Sequence, residues 1–239
     1  MNIGVIMPEI GGYSTLSLEF LKWYHVIKEM GHNIYILAGK SRVTLPNLTI
    51  MADLHPDNEF NLNLSTVIFD LTNDDESEIE SIKSLSSRLD SFFQSWITNL
   101  NLDIVIVENY FSIPINLPVS FALQMTFQKV SCKKIIKHHD AFYRKSIEQI
   151  SNSDFIKKII LTCFPFISDN TYHVSSNRLI RSYLKEKCSV DSIIIPYVIN
   201  FKDQYQLSDQ PANLLSHTFT LNFSDKLLIN FSDLLPSSD

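Results

Sequence analysis

Glycine is scarce in this sequence: there are five among 239 residues, and all five (Gly4, Gly11, Gly12, Gly31 and Gly39) lie in the first 39. Turns that need positive φ, or backbone contacts too close for a side chain, are therefore expected in the first βαβ-like unit. Cysteine is scarce as well. Cys132, Cys163 and Cys188 are odd in number, far apart and without a CxxC, which fits neither a disulfide framework nor a zinc site and suits a reducing cytoplasm. Basic residues are in the minority, 20 Lys and Arg against 26 Asp and Glu, for a net charge of −6. That balance argues against a nucleic-acid partner. No apolar run approaches the ~20 residues a membrane-spanning helix requires; the richest, at 159–167, falls far short. The start MNIGVIMPEIGG lacks a basic n-region and reads as a strand entering a glycine turn rather than as a signal peptide. What is abundant is apolar side chain, 45% of residues, enough to exclude disorder for most of the chain. The length allows one large domain, or one domain and a fragment of another.

Ile3 to Met7 form a short apolar run that ends in Pro8 and then Gly11-Gly12. A helical pattern follows, with Leu18, Leu21, Ile27 and Met30 among its apolar positions and Gly31 as its stop signal. Residues 33–38 then read as a buried strand closed by Gly39. Strand, glycine turn, helix, strand is the opening of a doubly wound, mostly parallel α/β sheet. Asp74, Asp75, Glu76, Glu78 and Glu80 make an acidic helix start, favourable at a helix N-terminus and without the spacing of an EF-hand. Residues 82–100 carry helical periodicity through Leu85, Leu89, Phe92, Phe93, Trp96 and Ile97, most simply a core stripe. Further strands are expected at 103–108, 134–140, 172–175 and 192–196, with a helix at 177–187. Residues 202–222, rich in Gln, Asn, Ser and Asp, read as a linker, and 226–231 as another strand.

In open α/β sheets, ligands bind outside the carboxyl ends of the strands. Three segments put polar residues there. The first is Gly11-Gly12 with Ser14, Thr15 and Ser17, which can offer backbone N–H groups to a phosphate or carboxylate at a helix N-terminus. It is neither GxGxxG nor a P-loop, and a plain turn with a Ser or Thr N-cap explains it too. The second is Glu108-Asn109, running into Ser112, Pro114, Asn116 and Pro118, where helix capping and turn rigidity are the simpler roles. The third is His138-His139-Asp140. Its imidazoles and carboxylate can hydrogen-bond sugar hydroxyls or move a proton near neutral pH; the simpler alternative is one satisfied core histidine and one facing water. Adjacent residues point to opposite sides of a strand, so no metal is expected there. Tyr143, Arg144 and Lys145 add a basic aromatic cluster that can meet an anionic acceptor or stand as solvated surface.

These same segments resemble one family. Ser17-Leu18-Glu19-Phe20-Leu21-Lys22-Trp23 with Met30-Gly31-His32, the run Glu108-Asn109-Tyr110-Phe111-Ser112-Ile113-Pro114-Ile115-Asn116-Leu117-Pro118, and His138-His139-Asp140 carry the likeness. Ile195-Pro196 with Asn200-Phe201 extends it to about residue 201. They are similar to the N-terminal half of the family 4 retaining glycosyltransferases of GT-B architecture, and within these to the branch making glucosylglycerate-type compatible solutes. The resemblance implies a Rossmann-like acceptor-side domain over 1–201, a linker over 202–222, and over 223–239 the first strand of a donor-binding domain otherwise missing. It implies transfer of a hexosyl group from a nucleotide-sugar to a small sugar or glycerate-type acceptor, with retained configuration and no cofactor beyond the donor substrate. A separate polypeptide could supply the donor domain. His139 and Asp140 would contact the transferring sugar as catalytic residues. Gly11, Gly12, Ser14, Glu108, Asn109, Ser112, Asn116, His138, Tyr143 and Arg144 would shape the acceptor site. The chain departs from the family pattern at Tyr197, where related chains have Asn, and at Tyr143-Arg144-Lys145, where they have Trp-Glu-Arg. The alternative expectation is a non-catalytic module binding a sugar or a partner, or a truncated inactive product.

Overall fold

The apolar run at the N-terminus becomes strand β1 (Asn2–Ile10), buried along most of its length, as a parallel strand covered by helices on both faces must be. The computed structural model describes residues 1–12, 14–59, 61–62, 76–141 and 153–197. Helix α1 (Thr15–Glu29) follows β1; Ser14 is its N-cap, its hydroxyl accepting the Ser17 N–H at 3.2 Å. The helix closes in a Schellman turn. Gly31, at φ 79°, donates to Lys28 O at 2.9 Å, and His32 donates to Ile27 O at 3.3 Å. The buried residues of α1 are Ser17, Glu19, Phe20, Tyr24 and Ile27. Leu18 and Met30, expected among its apolar positions, are exposed. Phe20, Tyr24 and Ile27 stand at i, i+4, i+7 and present the larger apolar surface, so they take the side facing the sheet.

The chain continues through β2 (Asn33–Ser41), β3 (Leu48–Ile50), a short 3-10 turn (Ala52–Leu54), α2 (Glu76–Asn99) and β4 (Ile104–Glu108). Then come α3 (Leu117–Phe127), β5 (Lys133–His138), α4 (Asp154–Cys163), β6 (Thr171–Ser175), α5 (Arg178–Cys188) and β7 (Ser192–Ile194). The seven strands form one sheet in the order β3-β2-β1-β4-β5-β6-β7, and every neighbouring pair is parallel. This is the doubly wound α/β sheet expected from the strand–turn–helix–strand opening. Strand order reverses between β1 and β4, which makes the crevice beyond their carboxyl ends the topological switch point.

Alternation along β1 feeds two cores. Ile3, Val5 and Met7 pack with Phe20, Tyr24 and Ile27 of α1. Ile6 joins the other core, with Leu89, Phe93 and Trp96 of α2, Val119 and Leu123 of α3 and Ile160 of α4. Gly4 lies on this second face, and a Cβ there would stand 2.5 Å from Leu102 Cδ1 and 2.8 Å from Trp96 Cη2. Gly4→Ala is accordingly expected to cost about 1–3 kcal/mol through overpacking, read as a lower urea midpoint at unchanged slope. An unchanged midpoint would show that Trp96 and Leu102 yield freely.

Asn116 caps α3, its Oδ1 accepting the Val119 N–H at 3.2 Å while its Nδ2 donates to Asp53 O at 2.9 Å. None of the three cysteines is in a disulfide. No helix among the described residues is long and apolar enough to cross a membrane. The chain divides into two units, Met1–Val198 and Ile199–Asp239, and only the first contains described residues. The linker expected at 202–222 and the strand expected in 223–239 lie outside them.

Candidate functional site

The switch-point crevice is built from the last residues of β4 and β5. Glu108 and Lys137 are partners in the β4–β5 register, and register partners share a face of the sheet. The Lys137 ammonium lies 2.8 Å from Glu108 Oε1, with the side chains 4% and 1% exposed. On its other side the ammonium sits 3.9 Å from the centroid of the Trp23 ring of α1, a cation–π contact. The Trp23 indole N–H donates to Glu19 Oε1 at 3.2 Å, and Glu19 Oε2 meets the Lys22 ammonium at 3.2 Å. Two residues beyond Lys137, on the same side of the strand, His139 places Nε2 2.6 Å from Glu108 Oε2. Its Nδ1 stands 2.7 Å from the Tyr197 hydroxyl, and the two rings lie 9° from parallel.

Charge and burial set the protonation of this chain of contacts. Burial alone would raise the Glu108 pKa, but Lys137 and His139 hold the carboxyl below its ordinary value. An ionised carboxylate only accepts, so His139 Nε2 carries the proton it donates to Glu108, and in the tautomer with that single N–H, Nδ1 is the acceptor for the Tyr197 hydroxyl. Burial, with the carboxylates of Asp140, Glu108 and Glu19 acting in the same sense, pushes the Tyr197 phenol up to about 12. It remains a donor across the ordinary range of pH.

The opposite face of β5 carries a second chain. His138 Nδ1 is 2.9 Å from Ser112 Oγ, and His138 Nε2 is 3.0 Å from His173 Nδ1 in β6, the two rings stacked at 5.3 Å. Burial drives the His173 pKa down to about 4, and burial with the nearby His173 and His139 takes His138 well below its ordinary value. Both rings are neutral at pH 7. The pair of histidines is thus divided, as alternation along a strand demands, but neither ring faces open water. His138 is spent inside, on Ser112 and His173; His139 is spent in the crevice, on Glu108 and Tyr197.

Asn109 takes a left-handed backbone at φ 68°, a conformation that Asn tolerates better than most residues. Its Nδ2 donates to Asp140 Oδ2 at 3.3 Å. The buried atoms Asn109 Oδ1 and Ser17 Oγ have no hydrogen-bond partner among the described residues, so each retains capacity for a ligand hydroxyl or a water. At the glycine turn, Gly11 has φ 78° and packs against Val43, while Gly12 lies against the Glu9 carboxylate. Glu9 in turn pairs with Arg42 at 3.1 Å.

The structure therefore brings Glu108, Asn109, His139 and Asp140 together and gives Ser14, Ser112, Asn116 and His138 internal partners. Tyr143 and Arg144 lie outside the described residues. Sequence reasoning missed Lys137, Trp23, Glu19, His173 and Tyr197 as members of these networks. A cation inside the apolar strand 134–137 was a visible signal for a buried partner; the partner itself, Glu108, lies 29 residues away. Among the described residues no three His, Cys, Asp or Glu side chains group to hold a metal ion. An open groove lined by Asp53, Ser81, Leu85 and Arg88 contains none of the strand-end groups.

No protein-family model matches the chain. Two curated relatives are both named mannosylglucosylglycerate synthase. The protein from Petrotoga mobilis is 27% identical over 236 residues, 98% of this chain and 52% of the relative. That from Thermotoga maritima is 26% identical over 204 residues, 84% of this chain and 46% of the relative. The chain spans about half the length of these relatives. Among solved structures, sucrose-phosphate synthase from Thermosynechococcus elongatus matches with a TM-score of 0.52 at 12% identity, covering 90% of this chain and 52% of that one, a likeness of fold. In sequence and in fold this chain resembles the glycosyltransferases, and over almost its whole length it is similar to mannosylglucosylglycerate synthase.

Proposed function

We propose that this α/β domain is the acceptor side of a retaining glycosyltransferase, which passes a hexosyl group from a nucleotide-sugar to a hydroxyl of a small sugar or sugar-acid acceptor. The observation that supports this reading most is the convergence of Glu108, Asn109, His139 and Asp140 on the switch point of a chain similar to such a synthase. His139, oriented by Glu108, would face the acceptor hydroxyl and Asp140 the transferring sugar. Asn109 and Ser17 would take further hydroxyls through their unspent oxygens, and the Gly11-Gly12 turn with Tyr143 and Arg144 would complete the acceptor wall. A fixed orientation of the attacking hydroxyl lowers the entropy lost on the way to the transition state. The nucleotide-sugar would be held by a partner domain, on the same polypeptide or a separate one, whose basic groups would meet the charge developing on the departing diphosphate.

The test incubates the protein, alone and with a donor-binding domain of a relative, with nucleotide-linked mannose or glucose and with glucosylglycerate. The expected product has retained anomeric configuration by NMR, and His139→Ala lowers kcat/KM by about a hundredfold, the scale of a positioned polar group in a transition state. An inverted product, or turnover indifferent to His139→Ala, would overturn the reading. Sugar binding without turnover in either mixture would select the non-catalytic module instead.

A further inference from the structure

The two sides of the His139 ring differ in what they could give up. Nε2 faces Glu108, 1% exposed and locked to Lys137, so that bond belongs to the interior. Nδ1 faces Tyr197, a residue 41% exposed in the irregular segment just after β7. In the neutral ring that nitrogen is a lone pair in need of an O–H donor, and a phenol hydroxyl offers the same donor as a sugar hydroxyl. We propose that Tyr197 stands in for the acceptor, its hydroxyl holding the place on His139 Nδ1 that a neutral polyol hydroxyl takes when it displaces the side chain.

This rests on reading the switch-point crevice as the acceptor site and deepens it by naming the ligand group. A carboxylate has no O–H to give His139 Nδ1 at neutral pH, so the position accepts a neutral hydroxyl donor. A carboxylate of a sugar-acid acceptor must therefore point away from His139 and leave a hydroxyl there. Next to that position, Asn109 is tied to Asp140 through Nδ2 and keeps Oδ1 unpartnered, which provides an acceptor for a neighbouring hydroxyl. The displacement exchanges one O–H···N bond for another, gives up the contact of the phenol with Ser176 and releases a half-exposed side chain. Its effect is to weaken binding of every ligand by the stability of the Tyr197 contact.

The experiment titrates methyl α-D-glucopyranoside into the wild-type protein, Tyr197→Phe and Tyr197→Asn, and follows the His139 ring nitrogens in long-range 1H–15N spectra. Loss of the phenol hydroxyl is expected to tighten binding about tenfold, equivalent to about 1.4 kcal/mol. In Tyr197→Phe, which has no donor to give, Nδ1 should move from unbonded to hydrogen-bonded as the probe is added. In the wild type it should stay hydrogen-bonded throughout while the Tyr197 ring signals shift. Weaker or equal binding in the variants, with the probe still reaching His139, overturns the stand-in and leaves the acceptor site standing. Absence of any effect of the probe at His139 in all three proteins overturns both. Acetate, which offers no O–H at neutral pH, should displace nothing; displacement by acetate would overturn the assignment of a hydroxyl donor as the ligand.

Discussion

Lys137→Met is expected to destabilise the protein by about 3–5 kcal/mol, the cost of removing one member of a buried ion pair. Glu108 and Lys137 are 1% and 4% exposed, so the carboxylate left behind has almost no access to water. Its remaining polar contact is His139 at 2.6 Å. For a chain of this length, each kcal/mol moves the midpoint by roughly 2–4 °C, and a fall on the order of 10 °C is expected in thermal unfolding. The double variant Glu108→Gln/Lys137→Met should recover part of the loss, because no bare charge then stays inside. A single variant that melts within about 1 kcal/mol of wild type would mean that water reaches Glu108 and that the pair is not closed. The same substitution frees Glu108 to turn, so His139 loses its fixed orientation along with the stability.

A comparable loss should come from mild acid, through the other face of β5. His138 and His173 are neutral and stacked in the fold, whereas in the unfolded chain each protonates near its ordinary value of 6.5. Below pH 6.5 the unfolded state binds more protons than the folded one, so stability rises with pH in this window and is lost as pH falls. For His173 the drop from 6.5 to about 4 corresponds to about 3 kcal/mol, fully lost only once the pH reaches the folded value. Glu108 acts in the same direction lower down. Its depressed pKa contributes stability above its ordinary value of 4.5 that disappears as pH falls through the folded value. Urea midpoints measured from pH 7.5 to 4.5 should decline steadily, and His173→Phe should flatten the decline. A midpoint constant between pH 7 and pH 5 would contradict the assignment of two neutral buried rings.

The parts of the fold that were legible are those whose signals are local. The short apolar run at Ile3 to Met7, a Ser N-cap before α1 and the Gly31 stop lie within a few positions of the structure they specify. The stripe Leu85, Leu89, Phe93, Trp96 and Ile97 of α2 is buried as its period requires. Leu18 and Met30 went the other way because a helix has one buried face and bulkier residues compete for it. Strand β3 and helix α4 left weaker marks; β3 has only three residues, and the apolar character of α4 continues past its end, through Phe164 and Pro165, to 166–167.

The candidate site was legible in position and not in wiring. That Glu108, Asn109, His139 and Asp140 end neighbouring strands follows from strand boundaries and the topology of open sheets. That Glu108 meets Lys137, and His138 meets His173, depends on which strands are neighbours and at what offset, distances of 29 and 35 residues. No local pattern encodes an offset. Tyr197 showed itself only as a departure from the pattern of the chains this one resembles, and its contact with His139 spans 58 positions.

The pairing of Glu108 with Lys137 also bears on how β5 finds its place during folding. Residues 133–138 run Lys-Lys-Ile-Ile-Lys-His, with two apolar residues between cations, and hydrophobicity alone discriminates weakly among the ways such a segment can lie beside β4. Sliding β5 by one residue would rotate Lys137 to the side of Ser112 and His173 and strand Glu108 in an apolar setting. Sliding it by two would set Ile135 or His139 opposite the carboxylate. These near misalignments thus leave a desolvated charge without its ammonium partner, and the native one supplies it. The ion pair penalises wrong alignments of β4 and β5 even if, against a pair of apolar residues, it adds little to the stability of the right one.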